Sequence, residues 1–354
     1  MTNEISQVDK FWSQTEPVRN ANNYYMSSLL RPYIIETAYG RGFVAKYQDN
    51  SYYAEDIFVS EYLKEKKVET ILSICCGFGS VERRFVSQLG DVKQCLGLDI
   101  AKGALEIART RAADEGMHCI SYKEADLNKY SWVTEQYDLV IANGALHHLR
   151  NLEAVLEGIR TTLKPGGLLY ACEYVGPSYQ DLPARQIQII NAAAFLVPPE
   201  LRARKGLPVF MGKRLFRLLS RLYSGATQPA NPAWPRWKRM VALSLKKMPS
   251  RYRKDSDIGA VFISPKDWLL RNDPSEGVRS AEIIPIVRRV FSDVETRPFG
   301  GGLLRYALDE SFYTRFDMNN PLHAKSLEML CRLERHFVDT GEIGIDNAFI
   351  IARK

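Results

Sequence analysis

The stretch Ser73-Ile74-Cys75-Cys76-Gly77-Phe78-Gly79, followed by Cys95-Leu96-Gly97-Leu98-Asp99, decides the fold. From Glu69 to Asp99 the chain reads as an apolar strand, a glycine turn, a helix and a second strand tipped by a carboxylate. Glycines let a backbone approach a ligand where a side chain would collide. An acidic residue about 20 positions later can accept hydrogen bonds from a ribose diol. Half of a nucleoside-binding site is therefore legible. A dinucleotide fold usually offers a full G-x-G-x-x-G aimed at pyrophosphate, and C-C-G-F-G-S leaves that pattern incomplete.

Working outward, a short β-like segment from Cys119 to Tyr122 precedes Ala125-Asp126-Leu127. Then come Tyr137-Asp138-Leu139-Val140-Ile141-Ala142-Asn143, the run Leu163-Lys164-Pro165-Gly166-Gly167, and a strand from Leu168 to Cys172. The series resembles the class I S-adenosylmethionine-dependent methyltransferases, most clearly from Tyr62 to Val175. The resemblance implies an α/β, Rossmann-like sheet, mostly parallel with an antiparallel last strand, and S-adenosyl-L-methionine as cofactor. By the same resemblance, Ser73, Cys75, Gly77 and Gly79 form the loop under the methionine part. Asp99, with Ile100 beside it, holds the ribose hydroxyls, and Asp126 accepts from the adenine amine with Leu127 against the ring. Asn143 and Gly144 follow the fourth strand, beside the methionine moiety and the acceptor. Ser73 stands where the family usually has an acid, and Cys75 where it has a glycine, which predicts a cofactor held more weakly or differently. Lys164-Pro165-Gly166-Gly167 reads as a tight turn between helix and strand.

Composition is that of an ordinary globular enzyme: 354 residues, 45% hydrophobic and 25% charged. No apolar run is long enough to span a membrane and the polar start does not read as a signal peptide, so the expectation is a cytoplasmic protein. The cysteines Cys75, Cys76, Cys95, Cys119, Cys172 and Cys331 lack paired C-x-x-C spacing and read as reduced core thiols rather than zinc ligands. The formal net charge of +7 is unevenly placed, with a run of Lys and Arg and interleaved aromatics from Arg202 to Lys254. Such a region docks on anionic lipid, grips phosphates of an activated or lipid-linked substrate, binds nucleic acid, or is a solvated helical cap with basic stems along its surface. No nucleic-acid-reading motif accompanies it.

Four segments follow from these patterns. Residues 1–63 form a helical, aromatic-rich N-terminal lid, and 64–175 the cofactor-binding core. Residues 176–274 form a proline-broken, basic cap insertion, and 275–354 the remainder of the core sheet. In the last segment a helix is expected from about Ser275 to Val290, a strand near Asp293 to Arg297, a helix near His323 to Asp339, and a closing strand from Asn347 to Ala352. Open α/β sheets bind ligands beyond the carboxyl ends of their strands, so the acceptor is expected between lid, core and cap.

The sulfonium methyl is already activated, so the protein must align a nucleophile and remove its proton. His148 and His147, just past the fourth strand, and Glu173, at the tip of the fifth, are the candidate bases; a packing role for the histidines is the competing reading. Tyr174, Asp273 and Arg279 are the candidate acceptor-binding residues. No spacing points to a metal site, and a metal-independent reaction is expected. A looser similarity, carried by Cys172 to Pro177, Asn272 to Ile283 and Ala348 to Lys354, is to bacterial methyltransferases of glycan and surface-polysaccharide synthesis. Three functions remain open: O-methylation of a sugar hydroxyl, methylation of a small metabolite or lipid at O, N or C, and a non-catalytic Rossmann scaffold. Oligomeric state is not legible.

Overall fold

The computed structural model describes residues 2–13, 24, 27–46, 53–202, 266–308 and 310–354. Apart from Arg202, the basic run expected between 202 and 254 lies outside the described residues.

Among the described residues the core is a seven-stranded sheet. Its strands are β1 (Thr70–Ile74), β2 (Gln94–Asp99), β3 (Ile120–Glu124), β4 (Tyr137–Asn143), β5 (Leu163–Tyr174), β6 (Asp293–Pro298) and β7 (Asn347–Arg353). They lie in the order β3-β2-β1-β4-β5-β7-β6, with β7 antiparallel to both neighbours and the other pairings parallel. Helices around the sheet are α1 (Thr2–Ser13), α2 (Arg31–Tyr39), α3 (Arg41–Lys46), α4 (Ala54–Phe58), α5 (Ser80–Leu89), α6 (Lys102–Asp114) and α7 (Leu152–Thr162). After β5 come α8 (Ala184–Ala193), α9 (Lys266–Asn272), α10 (Ile283–Val290), α11 (Leu304–Ala307), α12 (Glu310–Arg315) and α13 (Pro321–Asp339).

Successive strand residues point to opposite faces, and in the middle of the sheet both faces are covered, so β1, β4 and β7 read as nearly continuous apolar runs. Ile71, Leu139, Ile141, Tyr170 and Phe349 join one core with Phe58 and Phe85. Leu72, Ile74, Val140, Ala142, Leu169 and Ile350 join the other with Val155 of α7 and Ile286 of α10. Tyr170 is fully buried against Phe58 and Phe85, with ring centroids 4.7 and 5.5 Å away.

Strand order reverses between β1 and β4, the switch point at which such sheets leave a crevice for ligands. The register sets what surrounds it. Ile74 pairs with Leu98 and Ala142, and Asn143 pairs with Cys172. The chain after β1, Asp99, the loop after β4 and Glu173 therefore share one edge of the sheet.

Two local expectations need correction. The helix expected from Ser275 begins only at Ile283, after a single 3-10 turn over Ser280–Glu282. The intervening backbone bonds elsewhere: Val278 N donates to the His147 carbonyl at 3.0 Å, the Gly277 carbonyl accepts from Tyr179 N at 2.7 Å, and Ser280 Oγ donates to the Gly176 carbonyl at 2.9 Å. Lys164-Pro165-Gly166-Gly167 lies within the span of β5 rather than before it, as a bulge: Tyr137 pairs with Leu163 and Leu139 already with Leu168.

Candidate active site

The first loop is held from below. Ser73 is buried, and its Oγ lies 3.2 Å from Oε2 of Glu82, a fully buried carboxyl on α5. Burial pushes the Glu82 carboxyl up to about 7. Arg83 Nη1 donates to the carbonyls of Phe78 and Gly79 at 2.9 and 2.6 Å, which fixes the turn into α5. Gly79 is required there: its φ is +72°, and a Cβ would stand 2.3 Å from Tyr122 Oη and 2.9 Å from Glu82 Oε1. Cys75, where a glycine is usual, is left-handed too, at φ +46°, a conformation that costs an L residue about 1–2 kcal/mol.

Asp99 ties this loop to the next. Its Oδ2 accepts from Gly77 N at 2.7 Å and its Oδ1 from Ala101 N at 2.8 Å. Burial raises the Asp99 carboxyl above the usual range, and the backbone amides oppose that rise. The start of α6 has no side-chain cap of its own; α1 supplies it, with Lys102 N donating to Asp9 Oδ1 at 3.1 Å and Gly103 N to Ser13 Oγ at 3.1 Å. Asp126 caps the following turn, accepting from Asn128 N at 3.1 Å and pairing with Lys129 Nζ at 3.2 Å, and Leu127 is buried.

Beyond β4, Asn143 and Gly144 lead into a 3-10 turn over Leu146–His148. Glu173, 1% exposed, holds that turn. Its Oε1 accepts from Ala145 N and Leu146 N, both at 2.8 Å, and its Oε2 lies 2.7 Å from His147 Nδ1. His148 Nδ1 lies 3.0 Å from Ser275 Oγ, which donates to Asp273 Oδ1 at 2.5 Å. Trp12 Nε1 donates to the other Asp273 oxygen at 3.0 Å, and the Trp12 ring stands edge-on to His148 with centroids 5.5 Å apart. With their Nδ1 atoms so engaged, both imidazoles turn Nε2 toward Glu276, whose Oε2 is 3.8 Å from each. Burial alone would lower His147, but the Glu173 hydrogen bond and charge, with Glu276, hold it above the ordinary imidazole value. Burial and the neighbouring His147 lower His148.

The structure thus brings His147, His148, Glu173 and Asp273 together. Tyr174 is buried nearby, its hydroxyl donating to the Pro177 carbonyl at 2.9 Å. Arg279 is engaged elsewhere, in ion pairs with Glu153 and Glu282 at 2.5 and 2.7 Å. In the sequence Ser275 and Glu276 fall in the first turn of the expected helix, and Trp12 is one aromatic among many in the N-terminal stretch. The only local sign of their role is the turn-forming run Asn272-Asp273-Pro274-Ser275 where the chain returns to the core.

The crevice suits a nucleoside cofactor. A Cβ placed on Gly77 would meet nothing within 4 Å, and one on Gly144 nothing closer than His147 Cε1 at 3.9 Å, so space stands open over both strand ends.

Comparison with known proteins agrees with the geometry. Residues 71–167 match a family described as a methyltransferase domain. A ubiquinone/menaquinone biosynthesis C-methyltransferase of Coxiella burnetii is 26% identical over 134 residues, covering 38% of this chain and 52% of that protein. A 2-phytyl-1,4-naphtoquinone methyltransferase of Nostoc punctiforme is 27% identical over 38% of this chain and 57% of its own. The chain spans about half the length of the curated relatives it matches. A phosphoethanolamine N-methyltransferase of Haemonchus contortus, solved with S-adenosylhomocysteine, is 15% identical over 98% of this chain and 60% of that chain, with a TM-score of 0.43. Residues 71–167 thus carry a methyltransferase domain of the class I type, with S-adenosylmethionine as its cofactor.

Proposed function

We propose that the protein methylates a hydroxyl oxygen of a small acceptor, with a sugar or glycan hydroxyl as the first candidate. S-adenosylmethionine supplies an electrophilic methyl group. Gly77, Gly79, Asp99, Asp126 and Leu127, with Asn143 and Gly144, hold it in the crevice. What remains for the protein is to orient the acceptor and take its proton.

The observation that carries this reading is the paired imidazole arrangement. Each ring has Nδ1 committed to a carboxylate, directly for His147 and through Ser275 for His148, which leaves Nε2 as the proton-accepting atom. Glu173, buried and fully engaged, acts as the orienting carboxylate. His148 is the better base, because its depressed pKa keeps it neutral at physiological pH. Asp273, Ser275, Glu276 and Gln180 offer polar groups for further hydroxyls, and Trp12 offers an aromatic edge. That combination favours a polyhydroxylated acceptor. Within the 1–63 stretch, α1 serves as a lid through the Asp9 and Ser13 caps on α6, and of the 176–274 stretch Gln180 and Asp273 reach the acceptor cleft. The basic run from Arg202 suits an anionic or lipid-linked acceptor.

A second reading, C-methylation of a quinone-type ring, is favoured by what the Coxiella burnetii and Nostoc punctiforme relatives are named for. Labelled methyl transfer from S-adenosylmethionine to nucleotide sugars, lipid-linked glycans and demethylated quinols separates the two. The expected product is an O-methyl ether, and Glu173→Gln lowers kcat about 100-fold while S-adenosylhomocysteine binds as before. Methylation of ring carbon in the quinol, with no hydroxylated sugar accepted, overturns the O-methyl reading.

A further inference from the structure

We propose that His147, His148 and Glu276 form a binding site for a divalent first-row transition-metal ion. One ligand atom from each of the three lies within 4.8 Å of the others. Their side chains are only 10%, 13% and 16% exposed. Both Nε2 atoms stand 3.8 Å from Glu276 Oε2, beyond hydrogen-bonding distance. Ligands about 2.0–2.1 Å from a tetrahedral ion are separated by about 3.4 Å, so each histidine-to-Glu276 separation need shorten by only roughly half an ångström.

The surroundings carry the inference further than proximity does. A metal-ligating histidine characteristically donates its other ring N–H to a carboxylate or similar acceptor, which fixes the tautomer and raises ligand basicity. Both histidines have such a partner: Glu173 Oε2 at 2.7 Å from His147 Nδ1, and Ser275 Oγ, itself bonded to Asp273, at 3.0 Å from His148 Nδ1. Glu276 is oriented as well, its Oε1 accepting from Gln180 Nε2 at 2.9 Å and leaving Oε2 for the histidines. Two imidazoles and one carboxylate match Zn²⁺, Fe²⁺, Co²⁺ or Ni²⁺ better than Mg²⁺ or Ca²⁺, which prefer all-oxygen shells. Three protein ligands leave a coordination position open. The metal-bound form takes up both Nε2 atoms, so in it, if the cleft is the acceptor pocket proposed above, a hydroxyl entering that position releases its proton to solvent rather than to His148. The binding site itself does not depend on that reading.

The test uses the full chain without an affinity tag, stripped by chelation and titrated with Co²⁺, with the visible d–d absorption as readout. One equivalent should bind and be displaced by Zn²⁺. Glu276→Gln should weaken Co²⁺ binding at least 100-fold, and Glu173→Gln by about 10- to 100-fold. Binding of S-adenosylhomocysteine, measured on the same samples, should be unchanged and shows that the variants are folded. Absence of the absorption, equal affinity in wild type and Glu276→Gln, or a thiolate-to-cobalt charge-transfer band overturns the site. Loss of S-adenosylhomocysteine binding with Co²⁺ binding intact instead overturns the cofactor reading.

Discussion

Glu82 gives the most quantitative prediction. It lies beneath the cofactor loop on α5, fully buried, with one oxygen near Ser73 Oγ and the Tyr122 hydroxyl beside it. Burial raises its carboxyl from 4.5 to about 7. The folded state therefore retains a proton that the unfolded chain releases as pH rises past 4.5, so stability falls across that interval and levels off above 7. At 1.36 kcal/mol per pKa unit, the penalty is about 3 kcal/mol at pH 8 and under about 1 kcal/mol at pH 5. Glu82→Gln keeps the shape, removes the titration and places an amide beside Tyr122 Oη. With about 2.1 cal/mol/K of unfolding entropy per residue over 354 residues, 3 kcal/mol is a Tm difference of about 4 °C. Thermal melts followed by circular dichroism from pH 5 to pH 8 should show the variant about 4 °C more stable at pH 8, with the gap closing toward pH 5. A constant gap, or a variant less stable at pH 8, would refute an ionisable group strained by burial at this position.

Other consequences are simpler. Gly79→Ala forces a Cβ to within 2.3 Å of Tyr122 Oη at a φ of +72°, and should cost about 2–3 kcal/mol and weaken S-adenosylhomocysteine binding; a variant matching wild type in melting and calorimetry would contradict the close approach. Trp12→Phe loses the 3.0 Å hydrogen bond to Asp273 while keeping an aromatic ring near His148, and should raise the acceptor KM about 10-fold with S-adenosylhomocysteine affinity within twofold. Steady-state kinetics checks it, and an unchanged KM removes α1 from the acceptor site.

The core sheet was legible because its signals are local. A strand, a glycine turn, an amphipathic helix and a second strand ending in Asp99 leave a pattern within one window, and the closing strand from Asn347 reads the same way. The cluster at the histidines was only half legible. His147, His148 and Glu173 flank consecutive strands, whereas Glu276 and Ser275 arrive from across a long insertion and carry no spacing relative to them. A helix beginning at Ser275 was the local expectation for Ser275 and Glu276, and tertiary hydrogen bonds from Val278 and Ser280 overrode it. Glu82 escaped notice for a related reason. Within α5 it looks like an ordinary acid in the first turn, and only the packing of Ser73 and Tyr122 above it makes the position unusual.

The most direct test of the account is calorimetric titration with S-adenosylhomocysteine, with NADH as control and Asp99→Ala alongside. One site is expected for S-adenosylhomocysteine, none for NADH, and at least tenfold weaker binding once the carboxylate that fastens Gly77 and Ala101 is gone. At 100 times the dissociation constant, ligand should also add about 2.7 kcal/mol, a rise in Tm of about 4 °C. Binding of NADH instead, or no heat and no Tm change at saturating S-adenosylhomocysteine, would contradict it.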